Sequence, residues 1–130
     1  MGLTLAEKVL AAKAHREAVE PGQIIVADVD LAIAQDGTGP LAVEQIRELG
    51  PERLEVPEAV FFIDHAAPSP RAELSDAHAI LREFCRESGA TLSDVEMGVC
   101  HQRVIARRRN SPAHQSPRWI VSRDAALSPL

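Results

Sequence analysis

Three short polar segments carry the side chains best suited to acid–base chemistry: residues 35–40, residues 64–65 and residues 98–102. A carboxylate beside an imidazole can hold the ring in one tautomer or keep it protonated, and a second histidine permits a proton relay to a leaving hydroxyl group. This combination suits a dehydration, with Asp64, His65 and His101 as the acid–base groups. For any single Asp-His pair, an ordinary hydrogen bond at the end of a strand remains the alternative.

Each polar segment follows a predicted strand. Hydrophobic periodicity predicts strands over residues 24–33, 59–63 and 95–99, and helices over residues 5–15, 40–49 and 75–88. The alternation predicts an α/β domain in which helices cover a sheet and the loops after the strand ends gather the binding groups.

Local signals mark the ends of the predicted helices. Thr4 and Glu7 form a capping-box pattern, Pro40 suits the first turn of the second helix, and Gly89 suits a left-handed stop after the third. The second helix is predicted to turn Leu41, Ile46 and Leu49 inward, and the third Ile80, Leu81 and Phe84.

Composition excludes several classes of protein. The 130 residues suit one domain, and they contain no apolar run of the roughly 20 residues that a membrane span needs. Two cysteines are too few for a disulfide framework or a four-cysteine metal site. An aromatic content of 3% disfavours base stacking on nucleic acid. We therefore expect a cytoplasmic protein with neither a nucleic-acid nor a membrane partner.

Four ordered motifs, spread over residues 1–106, resemble the aconitase superfamily, specifically its isopropylmalate and homoaconitate dehydratase large subunits. The motifs are Met1-Gly2-Leu3-Thr4-Leu5-Ala6-Glu7-Lys8; Val29-Asp30-Leu31 with Gln35-Asp36-Gly37-Thr38; Phe62-Ile63-Asp64-His65 with Pro68 and Pro70; and Gly98-Val99-Cys100-His101-Gln102. The resemblance implies the N-terminal part of a three-layer α/β/α aconitase-type domain, incomplete in this chain. It implies a hydro-lyase of leucine-type biosynthesis that acts on a hydroxy-dicarboxylate or tricarboxylate.

The resemblance also implies roles for single residues. Gln35 would contact the substrate, Asp64 and His65 would lie beside the departing hydroxyl, and His101 would lie in the same pocket. In the family, a [4Fe-4S] cluster held by three downstream cysteines acts as the Lewis acid. Those cysteines are absent here, so we expect no cofactor or metal ligand in this chain and no activity from it alone. Cys85 and Cys100 are interpreted as packing residues.

The implied partners are a hydroxy-acid substrate and either a small subunit or a complementary chain that carries the cluster. Two alternatives stay open. One is a non-catalytic binding or regulatory scaffold, which salt-dependent partner binding would favour. The other is one half of a split enzyme, which a separate downstream reading frame with three cysteines would favour.

The sequence changes character near its C-terminus. Residues 1–102 carry 8 basic and 18 acidic side chains, whereas residues 103–130 carry 6 and 1. We interpret residues 107–130 as a basic tail rich in Ser, Pro and Arg. The genetic code permits Arg108 through Trp119 to be reread in a frame shifted by one base as the Gly-Ile-Leu-Leu-Pro-like continuation of the family, which suggests a frameshifted or truncated gene. A natural disordered tail is the alternative.

Overall fold

The computed structural model describes residues 2–50 and 54–109, with the backbone alone described for residues 107–109. The described elements are, in chain order, α1 (Leu5–Lys13), β1 (Leu31–Gln35), α2 (Gly39–Leu49), β2 (Glu58–Phe62), α3 (Ala72–Ser88), β3 (Thr91–Ser93) and α4 (Cys100–Arg109).

The sheet is parallel, with strand order β1-β2-β3. Leu31 pairs with Glu58 and Gln35 with Phe62, so β1 and β2 end side by side. Helices α2 and α3 make the two connections between consecutive strands, as parallel pairing requires. The polar segments that follow β1 and β2 therefore leave the sheet at the same edge.

Two apolar clusters cover opposite faces of the sheet because successive side chains of a strand alternate between faces. The first packs α2 and α3 on the sheet, and its buried members are Val43, Phe61, Ile63, Leu81, Phe84 and Cys85. The second packs α4 on the other face, and its buried members are Leu31, Val60, Phe62, Cys100 and Val104. These layers confirm the predicted α/β class, and both cysteines are buried within them.

The helix ends follow the local signals closely. The Thr4 hydroxyl accepts the Glu7 N–H at 3.3 Å, while the Glu7 carboxylate accepts the Thr4 N–H at 2.7 Å. Helix α1 ends two residues early, at Lys13, because His15 adopts a left-handed φ of 54°. Gly89 ends α3 with a φ of 72°, as predicted.

The predicted inward faces need correction. In α2, Leu41 and Leu49 are 62% and 83% exposed, and the buried side chain is Val43. Ile46 packs against the first core as predicted. In α3, Leu81 and Phe84 are buried, but Ile80 is 37% exposed.

Two predicted strands are displaced. The strand expected over residues 24–33 covers only Leu31–Gln35, because Ile24 and Val26 project into solvent, 94% and 89% exposed. The strand expected over residues 95–99 is wrong. The structure places β3 at Thr91–Ser93, and Glu96 and Gly98 follow with positive φ angles that no regular strand adopts.

The predicted boundary after Ala106 falls within α4, which continues to Arg109. Residues 110–130, most of the predicted tail, lie outside the described residues. Among the helices that are described, none is long and apolar enough to cross a membrane.

Candidate active site

The candidate site forms where the segment after β2 meets the first turn of α4. The Asp64 carboxylate joins them, because it accepts the Cys100 backbone N–H at 2.6 Å and lies 2.7 Å from Nδ1 of His65. A free N–H at the start of a helix is a favourable partner for a carboxylate. Residues 36 positions apart are thereby fixed in one place.

Asp64 is held in its charged form. Burial would raise the pKa of this carboxyl group, but hydrogen bonds from the Cys100 N–H, the His65 ring and the Cys100 thiol lower it overall, below its ordinary value of 3.8. In the tautomer of His65 that carries its proton on Nδ1, the ionised Asp64 accepts that proton in a hydrogen bond and Nε2 is the nitrogen that can take up another. This is the arrangement expected of a general base and the carboxylate that orients it.

The two predicted histidines contact each other. The rings of His65 and His101 lie 5.9 Å apart between centroids, at 83° to one another. His65 has 46% of its side chain exposed, and His101 is exposed as well. Both rings are therefore accessible to a small molecule at the edge of the sheet.

Gln35 lies at the same edge, as the last residue of β1 beside Phe62. Its side-chain oxygen accepts the N–H of Gly37, so the amide folds back over its own loop. Asp64, His65 and His101 are joined by direct contacts, whereas Gln35 is positioned by the sheet.

Asp36 and His78 support the site from beneath, and sequence reasoning gave neither of them a role. The Asp36 side chain is fully buried and accepts the backbone N–H groups of His65 at 3.2 Å and Ala66 at 2.7 Å. Nε2 of His78, on α3, is 3.3 Å from Asp36 Oδ2, although it makes no hydrogen bond of good geometry. Asp36 directly follows Gln35 in the motif over residues 35–38, and this position was the sequence feature that could have pointed to it.

A separate groove of about 340 Å³ lies over β2 and β3 beside α4. Its lining is Val60, Phe62, Thr91, Leu92, Ser93, Met97, Arg103 and Ala106. None of the predicted site residues lines it, so the acid–base cluster and this groove are different surfaces.

The two thiols do not suit an iron–sulfur cluster, which needs three or four cysteine ligands in one place. Cys85 belongs to the first core and Cys100 to the second, so the sheet separates them. Burial raises the pKa of Cys85 to about 11, and burial with the nearby Asp64 raises that of Cys100 to about 11. No cluster chemistry is therefore assigned to this chain.

Known proteins similar to this chain share one description. The chain is 47% identical over 112 residues to 3-isopropylmalate dehydratase large subunit 1 of Thermotoga maritima, covering 86% of the chain and 26% of that relative. It is 50% identical over 113 residues to the large subunit of Elusimicrobium minutum, covering 86% and 27%. Large subunit 2 of Archaeoglobus fulgidus is 44% identical over 107 residues. The chain thus spans about a quarter of the length of these relatives. No family profile matches the chain.

Proposed function

We propose that this chain, which belongs to the family of 3-isopropylmalate dehydratase large subunits, supplies one wall of a pocket that dehydrates and rehydrates a hydroxy-dicarboxylate or tricarboxylate in leucine-type biosynthesis. The supporting observation is the Asp64–His65 hydrogen bond with His101 against the same ring. Family membership supports the proposed substrate class, and the geometry supports the choice of proton-transfer groups.

The proposed roles follow from the contacts. His65 exchanges the proton of the substrate hydroxyl group, and Asp64 orients the ring and stabilises its protonated form. His101 lies next to His65 and hydrogen-bonds the same hydroxyl or its leaving water. Gln35 contacts a substrate carboxylate from the end of β1, after its side chain turns away from Gly37.

We further propose that the chain alone does not turn over substrate. The family name implies an iron–sulfur enzyme, and the two separated thiols of this chain provide no place for its cluster. Residues outside this chain would supply the cluster and the remaining pocket walls, together with a small subunit.

A chimaera tests the proposal. Residues 2–106 replace the corresponding segment of the Thermotoga maritima large subunit, and the product is purified, reconstituted with cluster and small subunit, and assayed with 3-isopropylmalate. We expect dehydration by the chimaera and none by the isolated chain. The His65→Gln chimaera should lose activity by about 100-fold or more, because general acid–base groups contribute about that much.

The matched control is His15→Gln. His15 also pairs with an aspartate, at 2.7 Å from Asp28, but both side chains are more than two thirds exposed and lie in another part of the chain. Its chimaera should keep full activity. A chimaera that folds and holds its cluster but shows no turnover would contradict the proposed role of this wall.

A further inference from the structure

We propose that His65, Cys100 and His101 form a mononuclear binding site for a divalent transition metal, with zinc as the best-fitting ion. This inference goes beyond the dehydratase function and does not depend on it, because it concerns only side chains that the isolated chain brings together. It also differs from an iron–sulfur centre, since one thiol is sufficient.

The ligand atoms are already close to one another. One ring nitrogen of His65, one of His101 and the Cys100 sulfur all lie within 4.8 Å of each other. Tetrahedral zinc, with Zn–S near 2.3 Å and Zn–N near 2.0 Å, holds such atoms about 3.5 Å apart. The atoms therefore have to close from at most 4.8 Å to about 3.5 Å, and rotation of the two exposed imidazoles provides that movement.

The donor set selects the kind of metal. Two imidazoles and one thiolate suit zinc, cobalt and copper, whereas calcium and magnesium prefer oxygen ligands. Two exposed imidazoles and one buried thiolate make three protein ligands, which leave a fourth position for water or a small anion, as in open zinc sites. The arrangement thus fits an exchangeable ion better than a closed structural one.

Two features around the proposed site favour a cation: the negative charge of Asp64 and the fixed position of Cys100. Asp64 lies 2.7 Å from Nδ1 of His65 and accepts the Cys100 backbone N–H, so its carboxylate contacts two of the three proposed ligand residues. Cys100 is buried in the second core, which fixes the backbone that carries two of the ligands. Binding replaces the thiol proton of Cys100 by the metal, and the proton passes to the buffer.

Cobalt titration of the full chain under reducing conditions tests the site, because a thiolate bound to Co²⁺ gives an intense sulfur-to-metal charge-transfer band in the near ultraviolet. We expect this band to saturate at one cobalt per chain and to disappear on addition of zinc. Cys100→Ala should abolish it. His65→Ala and His101→Ala should each weaken cobalt binding by about tenfold or more. Loss of a residue that merely supports a metal ligand costs about tenfold or more in affinity, and loss of the ligand itself should cost at least as much.

Two control variants identify the ligands. Cys85→Ala removes the other cysteine of the chain, and His15→Ala removes an exposed histidine that also pairs with an aspartate. Both should keep the band and the affinity. Far-ultraviolet circular dichroism checks that each variant is folded. Because His101 is exposed, His101→Ala should fold and still tests the site if Cys100→Ala does not fold.

Several results would overturn the proposal. They are the absence of a charge-transfer band, a band that survives in folded Cys100→Ala, and cobalt affinity unchanged in both histidine variants. None of these results bears on the chimaera assay, so failure of the metal site and failure of the dehydratase function are distinguishable.

Discussion

Asp36 is the residue on which the shape of the candidate site depends most directly. Asp36→Ala removes the acceptor of the His65 and Ala66 N–H groups, whose hydrogen bonds are partly buried. We expect the free energy of unfolding to fall by about 2–5 kcal/mol, since each unsatisfied buried donor costs about 1–3 kcal/mol. Urea denaturation measures the loss. Asp28→Ala, which removes a carboxylate whose side chain is 71% exposed, should cost less than about 1 kcal/mol. Equal losses in the two variants would contradict this role.

Asp64 should make the stability of the protein depend on acid pH. Its pKa in the folded chain is lowered from 3.8, so the charged form stabilises the fold above that pH and the contribution disappears as pH falls through the lower folded value. We expect unfolding free energy to decrease below about pH 4 in the wild type. Asp64→Asn should be less stable at neutral pH and should have a shallower acid slope in urea titrations at pH 2–7. An unchanged slope would show that the charge of Asp64 does not contribute.

The candidate acid–base residues were easier to name from the sequence than the residues that hold them. Asp64, His65 and His101 lie in short motifs that resemble a known family, so they could be singled out before the fold was described. Asp36 and His78 contact each other across 42 positions, through the packing of α3 on the sheet. No periodicity in the sequence encodes that contact, because it depends on the angle and register with which a helix packs.

At the scale of elements, the sequence predicted the order of helices and strands from α1 to β3 correctly, but the predicted ends of the strands were displaced. The β-branched residues Ile24 and Val26 suit a strand, yet no neighbouring chain pairs with them in the described structure. Pairing begins only at Leu31, where β2 provides a partner. Helix ends were predicted more accurately because a cap such as Thr4 or Gly89 is a local feature, whereas a strand requires a distant partner.

Gly39 sets the distance between α2 and α3. A Cβ at this position would lie 2.9 Å from Cδ2 of Leu81, a side chain with no exposed surface. We expect Gly39→Ala to lower the unfolding free energy by about 1–3 kcal/mol through overpacking, despite the better helix propensity of alanine. Thermal and urea denaturation measure it. Gly2→Ala is the control, because nothing lies within 4 Å of its added carbon. A stabilised Gly39→Ala would show that Leu81 has room to move.

At the scale of the whole molecule, the apolar core on one face of the sheet is larger than the core on the other face. The first core joins α2, α3 and β2 through long side chains such as Leu81 and Phe84. The second attaches α4 through Cys100 and Val104. Because α4 carries Cys100 and His101, completion of the candidate site depends on the smaller of the two cores.

This inequality predicts local opening of α4. Val104→Ala should weaken the attachment of the helix by about 2 kcal/mol, from lost burial and the cavity that remains. Because opening of one element costs less than global unfolding, hydrogen exchange should accelerate for the amides of α4 and stay slow for those of β2. The contact between His65 and His101 should weaken with it, which ring-proton nuclear Overhauser effects report. Ile105→Ala, on the same helix but 58% exposed, should leave both measurements unchanged. Equal acceleration in β2 would instead mean that the two cores unfold together, and that the site is as stable as the domain itself.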